Sequence, residues 1–292
     1  TGQEEIINAT ISGKDTLVLM PTGGGKSICY QVPALLLPGC SIVVSPLIAL
    51  MNDQVLALKA NGIPAVAIHS NQDEYINQDN LYKASKGEIK LIYISPERLI
   101  SDIDLIASKI KVSLVAIDEA HCISQWGHDF RPVYTSLRCV KEKFCNVPVM
   151  ALTATADRLT RNDIAIALGL DNPYCWTGSF DRPNISLRVM NDPGKKQRLK
   201  IIAGLINKYH LDSGIVYCLS RKKTEAMHEA LSDMGYRSVC YHAGLSPQQR
   251  EEAQKAFVNG DAQVVCATIA FGMGIDKSNI RWVVHNNIPG NI

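Results

Sequence analysis

A chain of 292 residues is longer than one hydrophobic core usually organises, so two domains are expected. Hydrophobic residues make up 46% and charged residues 20%, an ordinary globular composition; the longest apolar runs, 34–37 and 112–117, are too short to span a bilayer, which argues against a membrane protein. A net charge of +2 selects neither for nor against a nucleic-acid partner, because a binding groove needs local rather than total positive charge.

No charged-then-apolar leader opens the chain, so no secretory signal is expected. The first residues already read as a helix, as in a segment that starts inside a longer protein. Nine cysteines are scattered and none forms a Cys-x-x-Cys pair, so no structural zinc site is expected within this span. Several, such as Cys218 and Cys266, sit in apolar runs and read as small buried hydrophobes. Free thiols in that number fit a reducing cytosol or nucleus: the cytoplasm of a bacterium, the nucleus of a eukaryote.

Short apolar runs alternate with longer amphipathic stretches. Strands are predicted at 16–20, 41–45, 65–69, 90–94, 114–118 and 149–153, and helices at 27–37, 47–61, 73–85, 97–109 and 133–144. Strands that are apolar throughout and separated by helices predict an α/β fold, a mainly parallel sheet covered on both faces. Pro38-Gly39 and Asn61-Gly62 punctuate the first two helices. The stretch 171–184, with two prolines and no clear period, is expected to be the linker, which places the domains at 1–180 and 181–292. A second series follows, with strands at 185–190, 214–218, 238–241, 263–267 and 282–285 and helices at 195–209, 222–234 and 247–258. It repeats the plan without a phosphate loop of its own.

Thr22-Gly23-Gly24-Gly25-Lys26-Ser27 follows a strand and leads into a helix. Three glycines remove every Cβ from the turn, so backbone N–H groups can converge on phosphate oxygens, and the helix N-terminus adds positive potential. Lys26 is placed to reach the terminal phosphates of ATP, and the Ser27 hydroxyl to bind Mg²⁺. Met20 stands where the general pattern has its first glycine. Gln3, expected just before the helix that leads to this loop, offers an amide donor and acceptor that suit the edge of adenine, although a terminal glutamine is more often a surface residue.

Asp118-Glu119-Ala120-His121 ends an apolar strand, where carboxylates face the crevice that ligands occupy in parallel sheets. Asp118 is placed to hold hydrated Mg²⁺ and Glu119 to take a proton from water, with His121 completing the catalytic set. Two adjacent acids could instead cap the next helix, a reading that the phosphate loop in the same domain weakens. Residues 122–132 then gather Trp126, His128, Phe130 and Arg131 in a loop with glycine and proline. Aromatics and arginine there can stack on unpaired bases, or fill the core. Thr153 and Thr155 end a strand and either bridge the nucleotide site to the partner domain or cap the following helix. In the second half, Ser220 and Arg221 gather at one strand end, suiting a phosphate chain or merely starting a helix, and Thr268 opens a glycine-bearing loop.

Together these segments resemble the RecQ family of superfamily 2 DNA helicases. The matching runs are 20–27, 45–54 (Ser-Pro-Leu-Ile-Ala-Leu-Met-Asn-Asp-Gln), 95–98, 118–132, 151–156, 179–184, 241–245 and 267–277, in order over nearly the whole chain. Block 118–132 is the most family-specific, and Met20 is usual for the family. The resemblance implies two tandem RecA-like domains that bind single-stranded and forked duplex DNA and couple ATP hydrolysis to 3′-to-5′ movement along the single strand, unwinding duplexes in repair or recombination. By the same resemblance Gln3 would recognise adenine, Glu119 would activate water, and Ser45, Gln54, Trp126, Phe130, Arg131 and Thr268 would contact or sense DNA. The family's aromatic-arginine pair before Thr1, its arginine-rich motif beyond Ile292, and its zinc-binding and winged-helix regions lie outside this sequence. The expectation is ATP binding with weak hydrolysis, since a missing arginine finger lowers turnover by roughly 10³–10⁵-fold in related enzymes. An RNA helicase of the same superfamily and a catalytically silent binding module are the alternatives.

Overall fold

A computed structural model of the chain describes residues 2–125, 129–179, 181, 183–191, 194–272 and 277–287. It divides into two compact units, Thr1–Asn184 and Ile185–Ile292, a boundary four residues later than expected from sequence.

The first unit runs α1 (Gly2–Ile11), β1 (Thr16–Leu19), α2 (Lys26–Leu36), β2 (Cys40–Val44), α3 (Ile48–Ala60), β3 (Ala65–Ile68), α4 (Glu74–Ser85), β4 (Leu91–Ile94), α5 (Pro96–Lys109) and β5 (Val112–Ile117). A 3-10 turn (Ala120–Ile123), α6 (Pro132–Thr135), α7 (Arg138–Lys143), β6 (Val149–Thr153), α8 (Arg158–Leu168) and β7 (Tyr174–Thr177) complete it. Its seven strands pair in parallel in the order β3-β4-β2-β5-β6-β1-β7. Successive residues of a strand point to opposite faces, so a sheet covered on both sides needs apolar residues at every position. That is what the strands show. Leu17 and Leu19, Ile42 and Val44, and Val115 and Ile117 enter one core, while Val18, Val43, Leu114 and Ala116 enter the other.

The second unit runs α9 (Gly194–Lys208), β8 (Ser213–Tyr217), α10 (Arg221–Asp233), β9 (Ser238–Tyr241), α11 (Pro247–Asn259), β10 (Val264–Ala267) and β11 (Ile280–His285). Its strands are again parallel, in the order β11-β8-β10-β9. Local chemistry sets the helix starts. Ser246 and Gln249 exchange side-chain-to-backbone bonds of 3.2 and 2.9 Å in a capping box, with Pro247 at the first helical position.

Three expectations need correction. The predicted strand 185–190 is not one: its alternating pattern meets no partner strand among the described residues, and Leu187 and Val189 are 88% and 89% exposed. The helix expected at 133–144 breaks into α6 and α7. Between them the N–H groups of Ser136 and Leu137 bond three residues back, a tightening that buries both Tyr134 and Leu137. The stretch 171–184 is not wholly a linker, since β7 lies within it as the edge strand beside β1. The indole of Trp176 lies so close to Gly2 that a Cβ there would come within 2.0 Å of it. Helix α8, not anticipated, is capped by Asp157, whose carboxylate accepts from Thr160 N–H at 2.7 Å. Among the described residues, no helix is long and apolar enough to cross a membrane.

Beneath β1, the buried Asp15 joins three segments. Its Oδ1 accepts from Lys141 at 2.7 Å and from the Val149 backbone at 2.9 Å, and its Oδ2 accepts from Asp171 N–H at 3.3 Å. Asp15→Ala strands a buried N–H and is expected to lower the stability of the first unit by about 2–3 kcal/mol, read as an earlier urea midpoint. Asp15→Asn, which keeps an acceptor, is expected to lose less.

Candidate active site

Parallel pairing brings the carboxyl ends of the first unit's strands to one edge of the sheet, so the loops after β1, β2, β5 and β6 meet there although they are far apart in sequence. A cavity of about 620 Å³ lined by Lys14, Asp15, Lys141 and Tyr174 opens at the opposite end of β1, away from this chemistry.

The phosphate loop leaves β1 at Met20, whose N–H bonds to the Thr153 carbonyl at 3.1 Å. Gly23 and Gly25 take left-handed backbone angles (φ 79° and 83°), and a Cβ on Gly24 would press to 2.6 Å from Met20 Cγ. Gly25 caps α2 without any side-chain bond, which leaves the helix's first N–H groups directed into the loop. Lys26 Nζ folds back onto the Met20 carbonyl at 3.3 Å. Gln3 lies in the first turn of α1 rather than before it, and its amide donates to the carbonyls of Gly24 and Gly25 at 3.3 and 3.4 Å. The residue proposed for adenine is thus held against the phosphate loop. Thr22 is exposed, and Lys26 and Ser27 are half-buried.

Asp118 and Glu119 follow β5. Asp118 N–H bonds to the Val44 carbonyl at 2.9 Å, and its own carbonyl accepts from the buried Tyr134 hydroxyl at 3.2 Å. Glu119 adopts φ 50°, ψ 42°, a left-handed conformation unusual for a residue with a Cβ; it directs the Glu119 N–H onto Asp118 Oδ1 at 3.0 Å. Burial first, and the neighbouring Glu119 charge second, push the Asp118 carboxyl from 3.8 up to about 6, opposed by the Glu119 N–H and by the positive fields of Lys26 and His121. β5 and β1 flank β6 in the sheet, so the acidic turn and the phosphate loop leave the same edge two strands apart. Tyr30 of α2 lies in the field of Asp118: burial, then Tyr93, then Asp118 hold its hydroxyl well above its usual range. A carboxylate such as Asp118 and a hydroxyl such as Ser27 are hard oxygen donors, the kind that Mg²⁺ takes.

His121 ties two strand ends together. Its Nδ1 lies 2.9 Å from Thr153 Oγ1 and 3.2 Å from Glu119 Oε2. Thr153 donates its only proton to the Thr155 carbonyl at 3.1 Å and accepts from Thr155 N–H at 3.2 Å. Its remaining lone pair faces His121, so the network assigns the ring proton to Nδ1. Thr153 therefore bridges within the nucleotide site, and Thr155 is not the cap of α8.

The nucleic-acid candidates are less uniform. Ser45 continues the fully buried pattern of β2 and is 2% exposed, so its side chain does not reach a strand at the surface. Gln54 accepts from Gln31 of α2 at 3.0 Å, and Gln31 also reaches the Tyr93 hydroxyl at 3.2 Å. Phe130 and Arg131 are half-buried. Arg131 donates to the Pro46 carbonyl at 3.2 Å and to Asp129 Oδ2 at 3.3 Å, fastening the loop to the segment after β2. Trp126 and His128 lie outside the described residues. In the second unit Ser220 caps α10 through Lys223 N–H at 3.4 Å, the helix-start role, while exposed Arg221 packs over Gly244. Thr268 is half-buried after β10 and its N–H bonds to the Tyr241 carbonyl. Tyr134 and Gln31, which sequence reasoning missed, act by contacts across 16 and 62 positions, for which no local signal exists.

A glycine loop, a lysine and a buried carboxylate at the carboxyl edge of a parallel sheet define a nucleotide-binding core of the RecA-like kind, followed by a second α/β unit. Residues 1–163 match the DEAD/DEAH box helicase family and residues 197–292 the helicase conserved C-terminal domain. The chain belongs to the DEAD/DEAH box helicase family and, by identities near one half along its full length, to its RecQ branch. It is 51% identical over 293 residues to the ATP-dependent DNA helicase RecQ of Pasteurella multocida, covering 100% of this chain and 46% of that protein. The Bacillus subtilis RecQ is 45% identical (99% of this chain, 49% of that one), and the RecQ-like DNA helicase BLM of Xenopus laevis 42% (100% and 22%). The chain spans about half the length, or less, of these relatives. Among solved structures, S. cerevisiae Dbp5 bound to RNA and ADP BeF3 shares the fold with a TM-score of 0.73 at 16% identity, covering 98% of this chain and 75% of that one. Mycobacterium smegmatis Lhr bound to single-stranded DNA gives 0.68 at 19% (97% and 41%).

The raised Asp118 carboxyl has a sign that can be checked. Between 3.8 and about 6 the folded chain holds a proton that the unfolded chain has released, so this group's contribution to stability falls as pH rises through that window. The full penalty above it is about 3 kcal/mol. Asp118→Asn is expected to raise the unfolding midpoint relative to the parent near pH 8 and to leave it close to the parent near pH 4.

Proposed function

We propose that residues 1–292 form the motor core of an ATP-dependent DNA helicase that moves 3′ to 5′ along single-stranded DNA and opens forked duplexes during repair or recombination. The observation that carries this reading is the buried Asp118 carboxylate in the field of Lys26, at the edge where the glycine turn of 23–25 begins α2. In this reading the N–H groups of the loop and Lys26 cradle the β- and γ-phosphates, and Gln3 meets adenine. Ser27 and Asp118 would hold Mg²⁺, which would supply charge neutralisation for the phosphoryl transfer.

Glu119 takes the proton of the attacking water. Its left-handed backbone and its contact with His121 Nδ1 fix where that carboxylate sits, and Thr153 fixes His121 in turn. Phe130 and Arg131 sense the strand in the first unit, and in the second unit Arg221 and Thr268 contact DNA phosphates. The relatives at 42–51% identity named as DNA helicases favour DNA over RNA. The compartment that fits is the bacterial cytoplasm or the eukaryotic nucleus.

The test is ATP turnover with single-stranded DNA, duplex DNA or RNA, using a chain extended past Ile292. Single-stranded DNA is expected to stimulate most. Lys26→Ala should weaken nucleotide binding, whereas Glu119→Gln should spare binding and lower turnover by roughly 100-fold or more. Equal stimulation by RNA, or an unimpaired Glu119→Gln, contradicts the assignment.

A further inference from the structure

Beside the acidic turn, three side chains of different chemistry converge. Cys122 Sγ lies 4.0 Å from His121 Nε2 and 3.8 Å from Asp129 Oδ2, and the three potential ligand atoms lie within 4.8 Å of one another. His121 and Cys122 are buried and Asp129 is half-buried. Neither the nucleotide chemistry nor the Mg²⁺ donors use Cys122 or Asp129. We propose that His121, Cys122 and Asp129 form a site for a thiophilic divalent ion of the Zn²⁺ class, which fastens the 129–131 loop to the catalytic turn.

Four features carry the assignment. The donor set of one imidazole, one thiolate and one carboxylate suits Zn²⁺ and Co²⁺ and is a poor set for Mg²⁺. Ligand atoms bound at about 2.0–2.3 Å in a tetrahedron lie roughly 3.3–3.8 Å apart, so the two pairs to Cys122 need only a few tenths of an ångström and the widest pair about 1.5 Å at most to close on an ion. The histidine ring is already anchored through its other nitrogen. Nδ1 contacts Thr153 Oγ1 and Glu119 Oε2, and Nε2 is the ring nitrogen that faces Cys122, 4.0 Å from its Sγ. A carboxylate on the distal nitrogen is the usual outer partner of a metal-bound histidine. Finally, Asp129 is oriented from outside by Arg131 Nη2 at 3.3 Å, and the Arg131 N–H holds the Cys122 carbonyl at 2.9 Å, so Arg131 ties two of the three ligand residues together. Binding displaces the thiol proton of Cys122 to solvent.

A search for paired cysteines cannot find this site, because two of its ligands are adjacent and the third follows Cys122 by seven positions. Occupancy would restrain the very segment that carries Phe130 and Arg131. Excess Zn²⁺ is therefore expected to slow backbone hydrogen exchange at 129–131 in the parent chain and not in Asp129→Asn.

The decisive experiment is titration of the 292-residue chain with Co²⁺ in a thiol-free buffer containing Mg²⁺, read by thiolate-to-cobalt charge-transfer absorption. One saturable equivalent, displaced by Zn²⁺, is expected in the parent and in Cys145→Ser, which alters an exposed thiol elsewhere. The band should vanish in Cys122→Ser, and the affinity should fall at least about tenfold in Asp129→Asn. An unchanged band in Cys122→Ser, or no saturable band in the parent, overturns the proposal. Should Cys122→Ser fail to fold by circular dichroism, Asp129→Asn decides: parent-like Co²⁺ affinity in that variant overturns it.

Discussion

The site depends on keeping one carboxylate ionisable where burial opposes it. Asp118 stands at the end of a strand whose last four residues are buried, and water is largely excluded from its side chain. Moving a charge into such surroundings is unfavourable unless partners compensate. Here the compensation is incomplete: one backbone N–H and the fields of Lys26 and His121 oppose the burial and the adjacent Glu119, and the carboxyl still settles near 6. A group in that condition has an unmet demand for a cation. In the proposed function a phosphate-bound divalent ion at the same strand edge would meet that demand, so the cost of burying the carboxylate and the affinity for a metal-nucleotide complex would have one origin.

Around that carboxylate, rigidity is built from contacts between strand ends. β5 and β6 pair directly and β1 pairs with β6, so the turn after β5, Thr153 and the phosphate loop share one row. The His121–Thr153 bond and the Met20–Thr153 backbone bond pass through the same residue, so a shift in either loop is felt by the other. A parallel link runs from α2 through Gln31 to Gln54 of α3, joining the nucleotide helix to the segment that the family resemblance associates with DNA. Both are side-chain bridges with discrete geometries, the kind of element whose equilibrium two ligands can bias together.

What could be read from the sequence follows from which constraints are local. The glycine turn was legible because only glycine tolerates its backbone and only a Lys-Ser pair at that spacing serves phosphates. Strands buried on both faces were legible from unbroken apolar runs. The same reasoning failed at 185–190, where an alternating pattern exists but its partner strand does not among the described residues. It also passed over β7, whose four residues are hidden between proline and glycine, and it assigned Ser45 a surface role although β2 carries that side chain into the interior. The left-handed backbone of Glu119, the Tyr134 support and the His121–Thr153 bond are tertiary facts. No spacing rule announces them.

The most direct measurement is a crystal structure of the chain with Mg²⁺ and a non-hydrolysable ATP analogue. The account predicts the γ-phosphate on Lys26 Nζ, the ion between Ser27 Oγ and the Asp118 carboxylate, and a water in line with the γ-phosphorus bonded to Glu119. A triphosphate seated in the glycine turn with Asp118 and Glu119 directed away from it would contradict the account.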